Sequence, residues 1–214
     1  MVARILSGIL ILLVSSAAVG QVQGGCDTKV AERTGVAGCY LVASEQLGTL
    51  PAGPLFWHLY TYPNLADAQA HRVPRSTVVE SLGQVWLYAI AVRDWRPAGG
   101  KRMAVVGPLP HDAGKVYTAR YMEAVFAPGT HTAVHTHAGP EAWYVVAGIQ
   151  CLETPDGITV VRAGEGSLVP EGPPMMLSSV GTETRRAVLL VLHDSSKPWI
   201  TPAMQWKPKG LCPN

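Results

Sequence analysis

The sequence predicts an all-β fold, a jelly roll or small β-barrel carrying an N-terminal α+β extension. Three observations support it. The chain has 214 residues, Gly 22 and Pro 17, enough length for one substantial core and an abundance of the two residues that punctuate turns. The second half lacks helical periodicity and consists of short apolar runs between Gly and Pro turns. From 116 to 126 the residues alternate before Pro128-Gly129, as a half-buried strand does.

Taken in order, residues 1–20 read as an export signal: Arg4 supplies a positive start, 5–14 are apolar and 15–20 are rich in small residues, with Ala18-Val19-Gly20 an acceptable cleavage site. A permanent membrane anchor needs about 20 apolar residues, and Ser15-Ser16 interrupts the run well short of that. A lipid-modified Cys26 is the other alternative, opposed by Gln23 where such signals place leucine. The expectation is a secreted or periplasmic protein with no stable membrane anchor after cleavage. Cys26, Cys39, Cys151 and Cys212 then meet an oxidising compartment, where four cysteines allow three disulfide pairings and the sequence does not choose among them. Cys212 is placed to tie down a Pro-rich tail.

Residues 21–100 form the expected N-terminal region. Residues 55–62, rich in aromatics, read as a strand closed by Pro63. Asn64 caps a short helix over 65–71, which Pro74 ends, and strands follow at 77–80 and 85–92 around a turn at Gly83-Gln84. The stretch 94–100, with Pro97, Gly99 and Gly100, is the best boundary. Residues 101–195 are the expected barrel, with strands at 116–126, 142–147, 149–152, 158–162, 168–169, 175–180 and 187–192, and 196–214 are the C-terminal tail. Evenly spaced strands with tight turns close into a jelly roll, which removes exposed edges. No internal repeat is present, so a single barrel is expected. Net charge is +2 with 15% charged residues and no basic run, which excludes a nucleic-acid surface.

The chemistry concentrates where Gly129 is followed after five intervening residues by His135, after one by His137, after three by Glu141 and after six by Gly148. Histidines at i and i+2 on an extended segment share a face, and a turn at Ala138-Gly139-Pro140 returns Glu141 beside them. Two imidazoles and one carboxylate, with positions left open, suit a divalent transition metal: iron, manganese, nickel or zinc. The competing reading is a polar hairpin with solvated histidines. If Glu141 points inward, so do Trp143 and Val145, while Ala142, Tyr144 and Val146 face the other way. Trp143 then walls the cavity, and His131 shares the parity of His135 and His137 as an auxiliary ligand or proton carrier.

This motif resembles the first motif of the cupin family, with the same glycine, His-x-His, glutamate and glycine spacing. The second motif is matched by Gly164, Pro170 and Gly172, but Met175 stands where the family has a fourth ligand histidine and Ser179 where it has asparagine. The resemblance spans roughly 117–193 and implies a cupin jelly roll, a small-molecule substrate or ligand and, through sheet edges, a homodimer. Met175 reads as an apolar wall filling the lost ligand's space, or as a thioether ligand. The expected function is an exported metal-binding protein, a mononuclear-metal oxidoreductase of dioxygenase type using iron or manganese ahead of zinc or nickel. The alternative is a non-catalytic cupin that binds a small molecule or a metal. Catalytic residues are not assigned; Tyr144, Glu171 and His131 are the candidate acid/base groups.

Overall fold

The structure, a computed structural model, describes residues 21–22 and 26–213. The expected export segment lies outside them. Among the described residues no helix is long and apolar enough to cross a membrane. In chain order the strands are β1 (Gln21–Val22), β2 (Gly38–Thr49), β3 (Phe56–Tyr62), β4 (Ser76–Ser81), β5 (Gln84–Ala91), β6 (Lys101–Val106), β7 (Val116–Phe126), β8 (His131–Thr132), β9 (His135–His137), β10 (Glu141–Ala147), β11 (Ile149–Thr154), β12 (Gly157–Arg162), β13 (Gly166–Val169), β14 (Met176–Val180), β15 (Arg185–Asp194) and β16 (Ile200–Pro202), with helix α1 (Leu65–Gln69) after β3. The fold is all-β, with a jelly roll made of two five-stranded sheets, β13-β10-β15-β7-β2 and β1-β8-β14-β11-β12. A further sheet, β4-β5-β3-β6, covers the outside of the first.

The central sheet is buried on both faces, and its sequence shows why. In β15, Val188, Leu190 and Leu192 pack outward against the covering sheet, while Leu189 and Val191 pack inward. An uninterrupted apolar run is the pattern of a strand with no solvent face. The same division holds in β7, with Tyr117, Ala119 and Tyr121 outward and Met122, Ala124 and Phe126 inward. Trp57, Leu59, Trp86, Tyr88 and Ile90 of the covering sheet complete the outer layer; each such side chain contributes ~1.5–3 kcal/mol by leaving water.

Three features differ from the sequence reading. Strand β2 pairs with β7 inside the barrel, although it precedes the covering sheet in the chain, and β6 pairs with β3, so the two layers exchange strands across residue 100. Register shifts in β2 at Leu41/Ala43 and Gln46/Gly48 break its alternation, which hides it from a period-two reading. The β4-β5 turn is Leu82-Gly83, both at positive φ, one residue earlier than expected, because a two-residue loop of this hand matches strand twist. Leu82 tolerates that conformation because its N–H donates to Glu123 Oε2 (3.0 Å). Buried Glu123 also accepts from Ser81 Oγ (2.7 Å) and Arg33 Nη1 (2.6 Å), fastening the covering sheet and the N-terminal segment to β7.

Two disulfides, Cys26–Cys39 and Cys151–Cys212, use all four cysteines and fit an oxidising compartment. Cys151 and Glu153 share the outer face of β11. The Glu153 carboxylate accepts the N–H groups of Lys209 and Leu211, so bridge and carboxylate together hold the tail. Asn64 caps α1 by accepting from Asp67 N (2.9 Å).

Candidate metal centre

Strands β9 and β10 bring His135, His137 and Glu141 to one point, with ligand-type atoms within 4.8 Å of one another. The turn between them fits only because residue 139 is glycine: a Cβ there would collide with the Leu192 carbonyl oxygen of β15. That closeness lets Leu192 N donate to Pro140 O (3.0 Å) and Asp194 N to Ala138 O (2.8 Å), fixing the hairpin on the central sheet. His135 exchanges backbone bonds with Met175 (3.2 and 2.9 Å), and β16 pairs along the other edge of β9.

Each imidazole is oriented by its outer nitrogen. His135 Nδ1 lies 2.8 Å from Ala133 O and His137 Nδ1 lies 2.7 Å from Trp199 O. A ring nitrogen facing a carbonyl must carry the proton, so in the neutral tautomer each Nε2 presents a lone pair. His137 Nε2 and Glu141 Oε2 are buried with no hydrogen-bond partner among the described residues. They stand 3.5 Å apart, too long for a good bond of this type. Orphaned buried polar atoms are uncommon in folded proteins, and a cation between them satisfies both. Burial holds His135 below the ordinary histidine range, with the neighbouring His137 adding to it. Burial pushes Glu141 upward, but His137, His135 and Arg185 outweigh it and hold the carboxyl below its usual value. A neutral imidazole and an ionised carboxylate are the forms a divalent cation requires. The donor set therefore fits a mononuclear transition metal.

A cavity of about 310 Å³ adjoins the three side chains. Its walls are mainly apolar: Met122, Ala124 and Phe126 from β7, Leu177 from β14, Leu189 from β15, and the Cys26–Cys39 bridge. Trp199 and Ile200 close one side, the Trp199 ring stacking on His137 at 5.6 Å and 18°. Arg120 lies 4.6 Å over the Trp199 ring and pairs with Asp27 at 2.6 Å.

The expected inward and outward faces of β10 hold in full: Trp143 and Val145 join the barrel core, and Ala142 and Tyr144 join the outer layer. The expected pocket walls do not. Trp143 and Met175 are wholly buried in the apolar core and do not line the cavity, because the core closes over both side chains. His131 is half-buried in β8, with Nδ1 3.1 Å from Thr132 O, and also lies outside the lining. Of the acid/base candidates besides His131, Tyr144 faces the outer layer and Glu171 sits at the surface with Lys115 and Lys197. Trp199 and Arg185 are among the cavity residues that escaped the sequence reading. Trp199 arrives through long-range pairing of β16, which leaves no local signal. Arg185 is inward by parity with Leu189 and Val191, a signal visible only if the strand is extended back beyond residue 187.

The two five-stranded sheets form a single jelly roll, and the Gly129 to Gly148 spacing at its His-His-Glu cluster resembles the first motif of the cupins. No protein-family model and no curated protein matches the sequence. Among solved structures, the chain is similar to a cupin-like protein from Thermotoga maritima, at 15% identity over 40% of this chain and 64% of that one, with a TM-score of 0.37. It is also similar to a protein with a double-stranded β-helix domain from Klebsiella pneumoniae (18%, 44% and 80%, TM-score 0.36) and to an oxalate oxidase (24%, 41% and 46%, TM-score 0.34).

Proposed function

We propose that the protein is an exported, mononuclear-metal oxidoreductase of dioxygenase type in which His135, His137 and Glu141 hold iron or manganese and a small organic molecule binds in the adjoining cavity. The supporting observation is the convergence of His137 Nε2 and Glu141 Oε2, both buried and unpartnered, beside that cavity. Two imidazoles and a carboxylate leave coordination positions open, and a metal there supplies Lewis-acid and one-electron redox chemistry. The chain's own residues do the rest. Ala133 O and Trp199 O fix both histidine tautomers, Trp199 braces the His137 ring, and the apolar walls exclude water, so charges inside interact strongly. Glu141 is committed as a ligand.

A second reading is a non-catalytic cupin that binds a metal or small molecule. It is favoured by one specific observation: Tyr144, Glu171 and His131 all lie off the cavity, whose lining among the described residues offers, beyond the cluster and Arg185, only Asp27 as a titratable group, and that carboxylate is paired with Arg120. Elemental mass spectrometry of the purified protein, followed by oxygen-consumption assays with small diketones, phenols and organic acids, tests the first reading. About one redox metal per chain with turnover supports it. A stoichiometric metal with no turnover moves the assignment to the binder, and no metal after loading with Fe(II) or Mn(II) removes both metal-dependent readings.

A further inference from the structure

Arg185 opens β15 and its side chain enters the same cavity as the His135, His137 and Glu141 cluster. It is 1% exposed, and Nε and Nη2 are buried without hydrogen-bond partners among the described residues. No ion pair to it is formed by those residues either. The Phe126 ring lies 4.9 Å from its guanidinium carbon and balances charge in part but accepts no directed N–H bond. Its neighbour Arg186 shows what an ordinary arginine does here: it is exposed and donates to Leu82 O at 3.2 Å. Burial lowers Arg185 to about 10, with Glu141 opposing, so it remains a cation at neutral pH.

A planar fork of donors with no acceptor, buried in a cavity, is matched by an oxyanion that presents two oxygens, a carboxylate or a phosphate, which guanidinium binds through paired parallel bonds, and the mainly apolar walls favour the singly charged carboxylate of a small organic acid. Charge balance agrees. A divalent ion offset by Glu141 leaves one net positive charge, and Arg185 adds a second, so a loaded cavity favours an anion and disfavours a neutral or cationic molecule. Between the two poles the walls are apolar, from Leu177, Leu189 and Met122. We propose that Arg185 is the carboxylate anchor of this cavity, and that its ligand is a small organic acid whose carboxylate meets the guanidinium while its apolar body lies between Arg185 and the His-His-Glu cluster. This inference rests on the function proposed above for the placement of the ligand's other end; the Arg185–carboxylate contact itself needs no metal.

Calorimetric titration tests it in protein prepared both metal-free and loaded with Mn(II), with benzoate and 2-oxobutanoate as probes, each against its methyl ester. The acids are expected to bind ~10- to 100-fold more tightly than the esters, the range of a charge-assisted bidentate contact. Arg185→Met should erase that preference while metal content and ester binding stay unchanged, and Arg185→Lys should retain only part of it. Removing an unpaired buried cation should also hold or raise the unfolding midpoint of the ligand-free protein, whereas a structural arginine would lower it on removal. Equal binding of acid and ester, no binding of any probe, or full acid preference in Arg185→Met overturns the proposal. So does misfolding of both variants, which makes the arginine structural. A protein that prefers acids through Arg185 but holds no metal overturns the function proposed above and leaves this one standing; metal without acid preference does the reverse.

Discussion

The central sheet has two buried faces that differ in kind. Outward, Trp57, Trp86, Tyr88, Tyr121 and Tyr144 interlock in contacts such as Tyr88 on Tyr121 at 5.2 Å and Trp86 on Tyr88 at 5.7 Å. Glu123, a buried charge on that side, is satisfied by three donors. Inward, the same strands carry Glu141 and Arg185 and face His137, and each of these keeps an unpartnered polar atom. Burying an unpaired ion costs on the order of several kcal/mol, so the inner face gives up stability that the outer face supplies. The aromatic layer and the candidate metal cluster are thus placed on opposite faces of one sheet at a period of two residues.

The largest effect expected from breaking that division is on the outer face. Trp86→Ala empties the middle of the aromatic layer and should cost ~3–5 kcal/mol in denaturant unfolding, while the refolded protein binds metal with unchanged stoichiometry. A loss of metal in step with the loss of stability would mean that the faces are not separable. His137→Ala is the reciprocal experiment. It removes one donor of the cluster and should weaken metal retention ~100-fold or more, since loss of a mere supporting partner already costs 10–100-fold. Stability of the metal-free protein should fall by ~1–3 kcal/mol, because the Nδ1 bond to Trp199 O and the stacking of Trp199 on the ring are lost, although Nε2 itself has no partner to lose.

Met175 sharpens the comparison from inside the barrel core. It is wholly buried beside His135, whose backbone it pairs with, at the position where the cupin second motif has a histidine. Met175→Leu keeps volume and apolarity and should leave metal content unchanged at a cost below about 1.5 kcal/mol. Met175→His should tighten metal retention and, in an open-site enzyme, lower turnover, because the added imidazole takes a position the substrate needs. Stripping of the metal by Met175→Leu would identify the thioether as a ligand. Glu123→Gln should cost ~1–3 kcal/mol by weakening three bonds to one buried carboxylate, with no effect on metal.

What the sequence reveals follows the same division. The His135, His137 and Glu141 cluster and the faces of β10 are legible because spacing and parity are local. The barrel strands from 116 onward are legible for that reason too. Strand β2 is obscured by two register shifts, Trp199 reaches the site through a strand pairing 62 residues away from His137, and Arg185 sits beside exposed Arg186 in a polar stretch that reads as a turn. The anion-binding feature is therefore the least visible one, since a buried arginine differs from a surface one only by its place in the fold.

The smallest predicted effect uses pH to compare the layers. His58, in the covering sheet, is wholly enclosed: Nε2 faces Val92 O at 3.0 Å, Trp95 meets the ring edge at 5.2 Å, and Nδ1 has no partner among the described residues. Burial holds it below the ordinary histidine range, the Val92 carbonyl opposes, and the charges of Arg96 and Arg102 add to the lowering. The unfolded chain then takes up a proton at higher pH than the folded protein does, so stability rises with pH and falls as pH drops below the unfolded histidine value of ~6.5. Denaturant unfolding of metal-free protein at several pH values between 7.5 and 5.5 should show that fall. His58→Gln should flatten part of it and leave the remainder to His135 and His193, which burial also lowers. Loading with Mn(II) should act on the other layer, steepening the fall because protonation of His135 then competes with the metal. If His58→Gln leaves the metal-free slope unchanged while Mn(II) alters it, the pH sensitivity belongs to the inner face alone.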